Sequence, residues 1–142
     1  MAGAIMSAAA EMRDVRRNSH WGAYEHRSDP APLRATGRDA QLTLGRFEIV
    51  RIGGMTIGRA TYQPGWRWSE HVGRALGLER CEVEHLGLVV SGAATAAFAD
   101  GRVTELRAGE LFYIPPEPHD SWVLGNEPYV SLHFMEAEKY AR

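Results

Sequence analysis

The chain has 142 residues, 44% of them hydrophobic and four of them tryptophan, enough for one domain with a substantial core. Its 16 basic residues oppose 18 acidic ones for a net charge of −2, and the basic residues are scattered and nearly all arginine, which argues against a nucleic-acid partner. The single cysteine excludes an intramolecular disulfide and fits a reducing compartment, while no apolar run approaches ~18 residues and no signal-peptide pattern opens the chain. The expected location is therefore cytoplasmic, with no membrane partner.

Residues 7–17 combine helix formers with Ser7 as an N-cap candidate and arginines toward the far end, so a short helix is expected. Residues 18–39 are rich in Gly, Pro and polar residues, with Trp21, Tyr24 and Leu33 as apolar anchors, and read as an extended arm. His20 and His26 lie in that arm and are expected to face solvent. The organisation expected is an N-terminal helix and arm over residues 1–40, a β domain over 41–135 and a C-terminal tail over 136–142 with one closing helical turn.

From residue 41 onward, short runs of aliphatic and aromatic residues alternate with turn residues, the pattern of an all-β sandwich or barrel. Expected strands are 41–51, 55–63, 66–72, 83–90, 93–99, 102–106, 111–114, 119–124 and 129–134. Between them stand Gly53-Gly54, Pro64-Gly65, Ser91-Gly92, Asp100-Gly101, Ala108-Gly109, Pro115-Pro116 and Gly125-Asn126. Asp100-Gly101 is the clearest hairpin signal and is expected to form a type I′ turn. Strands this short and numerous require two packed sheets or a closed barrel to bury their apolar faces.

Alternation along 83–90 puts His85 on one face with Val83, Gly87 and Val89, and with Cys81 if the strand starts early. His71 falls on the expected 66–72 strand, and His119 opens the strand after the rigid Ile114-Pro115-Pro116 turn. Three histidines on three strands of one small barrel can converge on a metal ion and leave positions open for water or substrate. Cys81 offers a fourth ligand or a reactive thiol, and a buried small filler is its ordinary alternative. Glu117 is a candidate acid or base beside His119, with an exposed turn position as the alternative. His133 is a candidate donor inside the barrel that would orient the site. Trp66, Trp68 and Trp122 would serve as a substrate wall or, more simply, as packing.

Two stretches resemble the paired motifs of the cupin superfamily, GxxxxxHxHxxx(x)ExxxxxxG and GxxxxxPxGxxHxxxN. Gly65 to His71 reads GWRWSEH, His85 to Gly92 reads HLGLVVSG with His in the Glu position, and Gly109 to His119 reads GELFYIPPEPH. The wording PGWRWSEHV resembles a branch of small single-domain bacterial cupins. The departures are Gly73 at the second histidine of HxH, a longer segment between His71 and His85, Glu117 in place of Gly, and Val123 in place of Asn.

The resemblance implies a double-stranded β-helix, or jelly-roll, barrel with His71, His85 and His119 as ligands to a divalent metal (Fe, Zn, Ni or Mn). It implies an enzyme acting on a small organic molecule, with dioxygenase-type chemistry expected first and isomerase, lyase or cyclase chemistry next. Exchanging Glu for His85 would make the site all-nitrogen, and the 72–84 segment would gate it. A non-catalytic ligand-binding or regulatory cupin is the alternative, as is a pocket packed shut by side chains. A homodimer is the expected assembly.

Overall fold

The computed structural model describes residues 40–137. The expected N-terminal helix, the arm and the end of the C-terminal tail lie outside the described residues. Ten strands form two antiparallel sheets: β1 (Ala40–Leu42), β2 (Gly45–Ile52), β3 (Met55–Tyr62), β4 (His85–Ser91), β5 (Ala93–Phe98), β6 (Val103–Arg107), β7 (Leu111–Ile114), β8 (His119–Asp120), β9 (Val123–Leu124) and β10 (Tyr129–His133). The larger sheet has the order β1-β2-β3-β10-β4-β7, and the smaller runs β6-β5-β8 with β9 also paired to β5. The chain crosses from one sheet to the other after β4, β6, β7 and β9, giving the jelly-roll barrel that the short alternating runs require.

Inward positions close the space between the sheets. On β4 the buried residues are His85, Gly87 and Val89, whereas Leu86 and Leu88 are half-buried and Val90 is exposed. On β10 the inward set is Tyr129, Ser131 and His133. The rings of Tyr62 and Trp66 stack with centroids 3.7 Å apart and close one end of the core. The ring of Phe112 fills the space beside Gly87, so close that a Cβ on Gly87 would meet Phe112 Cζ at 2.5 Å and the Leu132 carbonyl at 2.2 Å.

Four expected elements differ. The expected 41–51 strand is broken by a turn at Thr43-Leu44, with Leu44 at φ +58°, into β1 and β2, which pair antiparallel. The Asp100-Gly101 hairpin joins β5 to β6, but Gly101 has φ +95° while Asp100 does not share the left-handed region, so the turn is not type I′. Asp100 Oδ1 accepts from the Arg102 N–H at 3.0 Å instead and sets the turn by its side chain. The 119–124 strand is interrupted into β8 and β9. The expected 66–72 strand makes a single bridge, Arg67 to Trp122, and then turns into a π-helical turn, Ser69–Gly73, and one α-helical turn, Arg74–Leu76.

The cause of that last difference is Asp120. Its Oδ1 accepts the Ser69 N–H at 3.0 Å, and its Oδ2 accepts Arg67 Nε at 2.7 Å and Ser69 Oγ at 2.9 Å. A carboxylate that captures the backbone N–H of the next strand residue removes it from any ladder. The alternation Trp66, Arg67, Trp68, Ser69 therefore buries both indoles without continuing as a strand.

Candidate functional site

The site is built by one antiparallel bridge. Cys81 N–H donates to the His119 carbonyl at 2.8 Å, and His119 N–H donates back to the Cys81 carbonyl at 3.0 Å. Residues paired directly across an antiparallel bridge put their side chains on the same face. Four residues later the chain has joined the larger sheet as β4, and His85 points into the same space. Cys81, His85 and His119 are all buried, and their candidate ligand atoms lie within 4.8 Å of one another.

Cys81 Sγ and His85 Nε2 are 3.6 Å apart. That is within reach of a hydrogen bond between sulfur and nitrogen. It is also about 3.6 Å that separates S and N across a tetrahedron with Zn–S of about 2.3 Å and Zn–N of about 2.05 Å. His119 Nδ1 donates to the Glu117 carbonyl at 2.7 Å, which leaves the Nε2 lone pair available as a ligand. The donor set thus fits a transition metal, two imidazole nitrogens and one thiolate.

Burial keeps the imidazoles neutral, as ligation demands. His85 is held well below the usual imidazole range by burial first, and then by the neighbouring His133 and His119. His119 is lowered by burial, opposed by the Glu117 carbonyl and the Asp120 charge. Burial alone pushes His133 down to about 4. The Cys81 thiol is pushed up to about 11 by burial, with the Val83 backbone opposing and the charges of Glu82 and Asp120 adding. Without metal, Cys81 is therefore a protonated thiol at neutral pH.

Of the residues expected at the site, His85 and His119 come together and His71 does not. His71 lies on the π-helical turn, where its Nδ1 accepts the Arg67 N–H at 3.0 Å, and it does not line the chamber. The reason is the Asp120 capture described above, which bends the chain away before His71 can point inward. Glu117 keeps its side chain outside, exposed and paired with Arg102 at 2.5 Å, so its carbonyl and not its carboxylate serves the site. His133 is buried within the chamber, shares a hydrogen bond with Ser131 Oγ at 3.0 Å, and sits edge-on to His85 with centroids 5.4 Å apart.

The spacing of Cys81 from His85 also matches the cupin motif. Counting back from His85 instead of forward from Gly65, the interval between the second His and the Glu of the cupin motif puts Cys81 at that His and Glu79 at the first. With Cys81 in the cluster the donor set is not all-nitrogen, and a Cys81 thiolate would return the negative charge that replacing Glu by His85 removes.

The chamber in front of these residues is about 30 Å³ and is walled by aromatic side chains that include Tyr62, Trp66, Trp68 and Phe112. A single water needs roughly 10–15 Å³ by this measure, so the space admits two or three water-sized groups in all. A second, larger groove of about 490 Å³ is lined by Leu78, Glu79, Arg80, Glu82 and Pro118 among others. Chain neighbours of Cys81 and His119 line this groove. The 72–84 segment is part helix and, at Cys81, part paired bridge. Among the described residues no helix is long and apolar enough to cross a membrane.

No protein-family model matches the sequence, and no curated protein matches it. Solved structures of similar shape include a cupin-like protein of Thermotoga maritima, 13% identical over 72% of this chain and 79% of that one, with a TM-score of 0.48. A Rhizobium leguminosarum protein of unknown function is 22% identical over 64% of this chain and 79% of the other, with a TM-score of 0.48. The oxalate decarboxylase of Lactobacillus farciminis, in a formate complex, is 19% identical over 67% of this chain, with a TM-score of 0.47, and this chain spans 29% of its length.

Proposed function

We propose that this cupin-fold barrel is a mononuclear metal protein, with Cys81, His85 and His119 as ligands, that acts on a small molecule in a nearly dry aromatic chamber. The observation that carries the reading is the convergence of one thiol and two neutral imidazoles within 4.8 Å on the inner wall of the barrel. A thiolate with two imidazoles suits zinc first and iron next, and the 3.6 Å edge between Cys81 Sγ and His85 Nε2 favours a tetrahedral ion. Zinc supplies Lewis-acid chemistry, which polarises a bound oxygen or lowers the pKa of a bound water; iron supplies dioxygen chemistry instead. The dioxygenase expectation rested on three histidines, and the replacement of His71 by Cys81 in the cluster moves the preference to Lewis-acid chemistry.

The protein's own part is positional. The Glu117 carbonyl fixes the His119 tautomer, the Val83 backbone supports a charge on Cys81, and the aromatic wall keeps bulk water out. A second reading is a non-catalytic binding protein, favoured by a chamber of about 30 Å³ that is too small for most organic substrates. Thermal stabilisation by a small ligand without any turnover would select it.

Metal content of the full-length chain, purified without chelator and then reconstituted, tests the first reading. Near one metal per chain is expected in the wild type and in His71→Ala, with metal lost in Cys81→Ala, His85→Ala and His119→Ala. No metal after reconstitution overturns the proposal, and so does loss in His71→Ala with retention in Cys81→Ala.

A further inference from the structure

Two indole donors on chamber-lining residues are left over, those of Trp66 and Trp68, and they differ in where they point. Trp68 is 3% exposed, lines the chamber together with Cys81, His85 and His119, and its indole N–H has no hydrogen-bond partner. Buried tryptophan N–H groups usually find an acceptor, and one left bare inside a protein is costly. The ring is held in place from two sides. Its backbone N–H donates to the Ser121 carbonyl at 2.8 Å, and its benzene edge packs over Gly73, where a Cβ would lie 2.6 Å from Cζ3 and 3.1 Å from Cε3. Nε1 belongs to the opposite edge of the indole, turned away from Gly73.

Trp66 has a second unpartnered N–H, but that nitrogen lies 3.2 Å from the Cβ position of Gly45, which is not a lining residue. Its ring is also stacked on Tyr62. The two indoles therefore differ: one N–H edge is directed at the start of β2 and the other is left for the chamber.

We propose that the Trp68 N–H donates to the outside ligand that completes the Cys81–His85–His119 centre, and so selects ligands that carry a second lone pair besides the one given to the metal. This rests on the metal reading above. The chemical class is a small anion or acceptor-bearing molecule of two or three heavy atoms at most, the upper bound that about 30 Å³ sets. Trp68 is then a ligand-selecting residue and not a metal ligand.

The test uses the full-length chain loaded with cobalt(II), whose visible bands report coordination, titrated with azide. In Trp68→Phe, cobalt affinity is expected to stay within about twofold of wild type while the azide Kd rises about ten- to a hundredfold, the loss of one hydrogen bond to a charged group. His71→Ala, at a residue that does not line the chamber, is expected to leave the azide Kd unchanged. Equal azide affinity in wild type and Trp68→Phe overturns this inference and leaves the metal reading standing, whereas failure of the wild type to bind cobalt sinks the metal reading itself. If Trp68→Phe does not fold, the zinc-loaded wild type decides by NMR: the Trp68 indole proton should move downfield as azide saturates, and an unmoved resonance refutes the proposal.

Discussion

Asp120→Asn should destabilise the protein well beyond an ordinary polar substitution, because Asp120 is 1% exposed and its carboxylate organises the turn that follows Arg67. Oδ1 accepts from Ser69 N at 3.0 Å and Ser121 N at 2.9 Å, and Oδ2 accepts from Arg67 Nε at 2.7 Å and Ser69 Oγ at 2.9 Å. An amide keeps the first pair of bonds as neutral ones and sets its NH2 against the Arg67 donor. Losing one hydrogen bond between charged groups costs about 1.5–3 kcal/mol, and weakening the others brings the total to about 3 kcal/mol. For a domain of this size that is a fall in Tm on the order of 10 °C. Burial raises the Asp120 pKa, but the bonds from Arg67, Ser69 and Ser121 outweigh it, and the net shift is downward. The carboxylate therefore stabilises the fold above its unfolded pKa, and that contribution disappears as pH falls through the lower folded value. Chemical denaturation of wild type and variant in chelator should show a gap at pH 7 that narrows toward acid. A loss under about 0.5 kcal/mol, or a gap that widens as pH falls, would refute the account.

Other outcomes follow from the same packing. Gly87→Ala drives a methyl to within 2.2 Å of the Leu132 carbonyl and 2.5 Å of Phe112 Cζ, and should cost more than about 2 kcal/mol in equilibrium unfolding. His133, buried and neutral with a pKa pushed down to about 4, must take up a proton when the chain unfolds between that value and 6.5. Its contribution is complete above pH 6.5 and is lost as pH falls to 4, about 3 kcal/mol in all; metal-free wild type should lose this between pH 7 and 4, and His133→Phe should lose less. Glu117→Ala should leave metal affinity unchanged in a competition titration, since it is the backbone carbonyl of Glu117 that holds His119.

The barrel was legible because its signals are local. Apolar runs and turn pairs mark nearly every strand, and the inward face of β4 follows from simple alternation at His85, Gly87 and Val89. His71 was misplaced because alternation in Trp66 to Ser69 is produced by two buried indoles, whereas the turn is imposed by Asp120, over 50 residues away in sequence. No local pattern reports such a contact. Cys81 was undervalued for a related reason: its partner His119 reaches it only through the bridge between two separate segments, so neither neighbourhood advertises a site. The GxxxxxH match fixed attention on His71, although the shorter interval from Cys81 to His85 carries the geometry.

The difference between a thiolate centre and an all-imidazole one can be read from protons. All three histidines near the site have lowered pKa values and are neutral at pH 7, so binding a metal to imidazoles alone releases no proton from them. Burial holds Cys81 as a protonated thiol at neutral pH, with Sγ 3.6 Å from His85 Nε2; ligation requires that proton to leave. Zinc added to a weakly buffered solution at pH 7 should therefore release about one proton per bound ion from the protein, and the apparent affinity should rise about tenfold per pH unit from 7 to 9. Imidazole ligands that are already neutral give no such slope. Cys81→Ala should abolish both the release and the slope in whatever binding it retains. Zinc binding to the wild type without proton release would mean that Cys81 stays a thiol, and the centre would then have to be assembled from His85, His119 and a ligand other than sulfur.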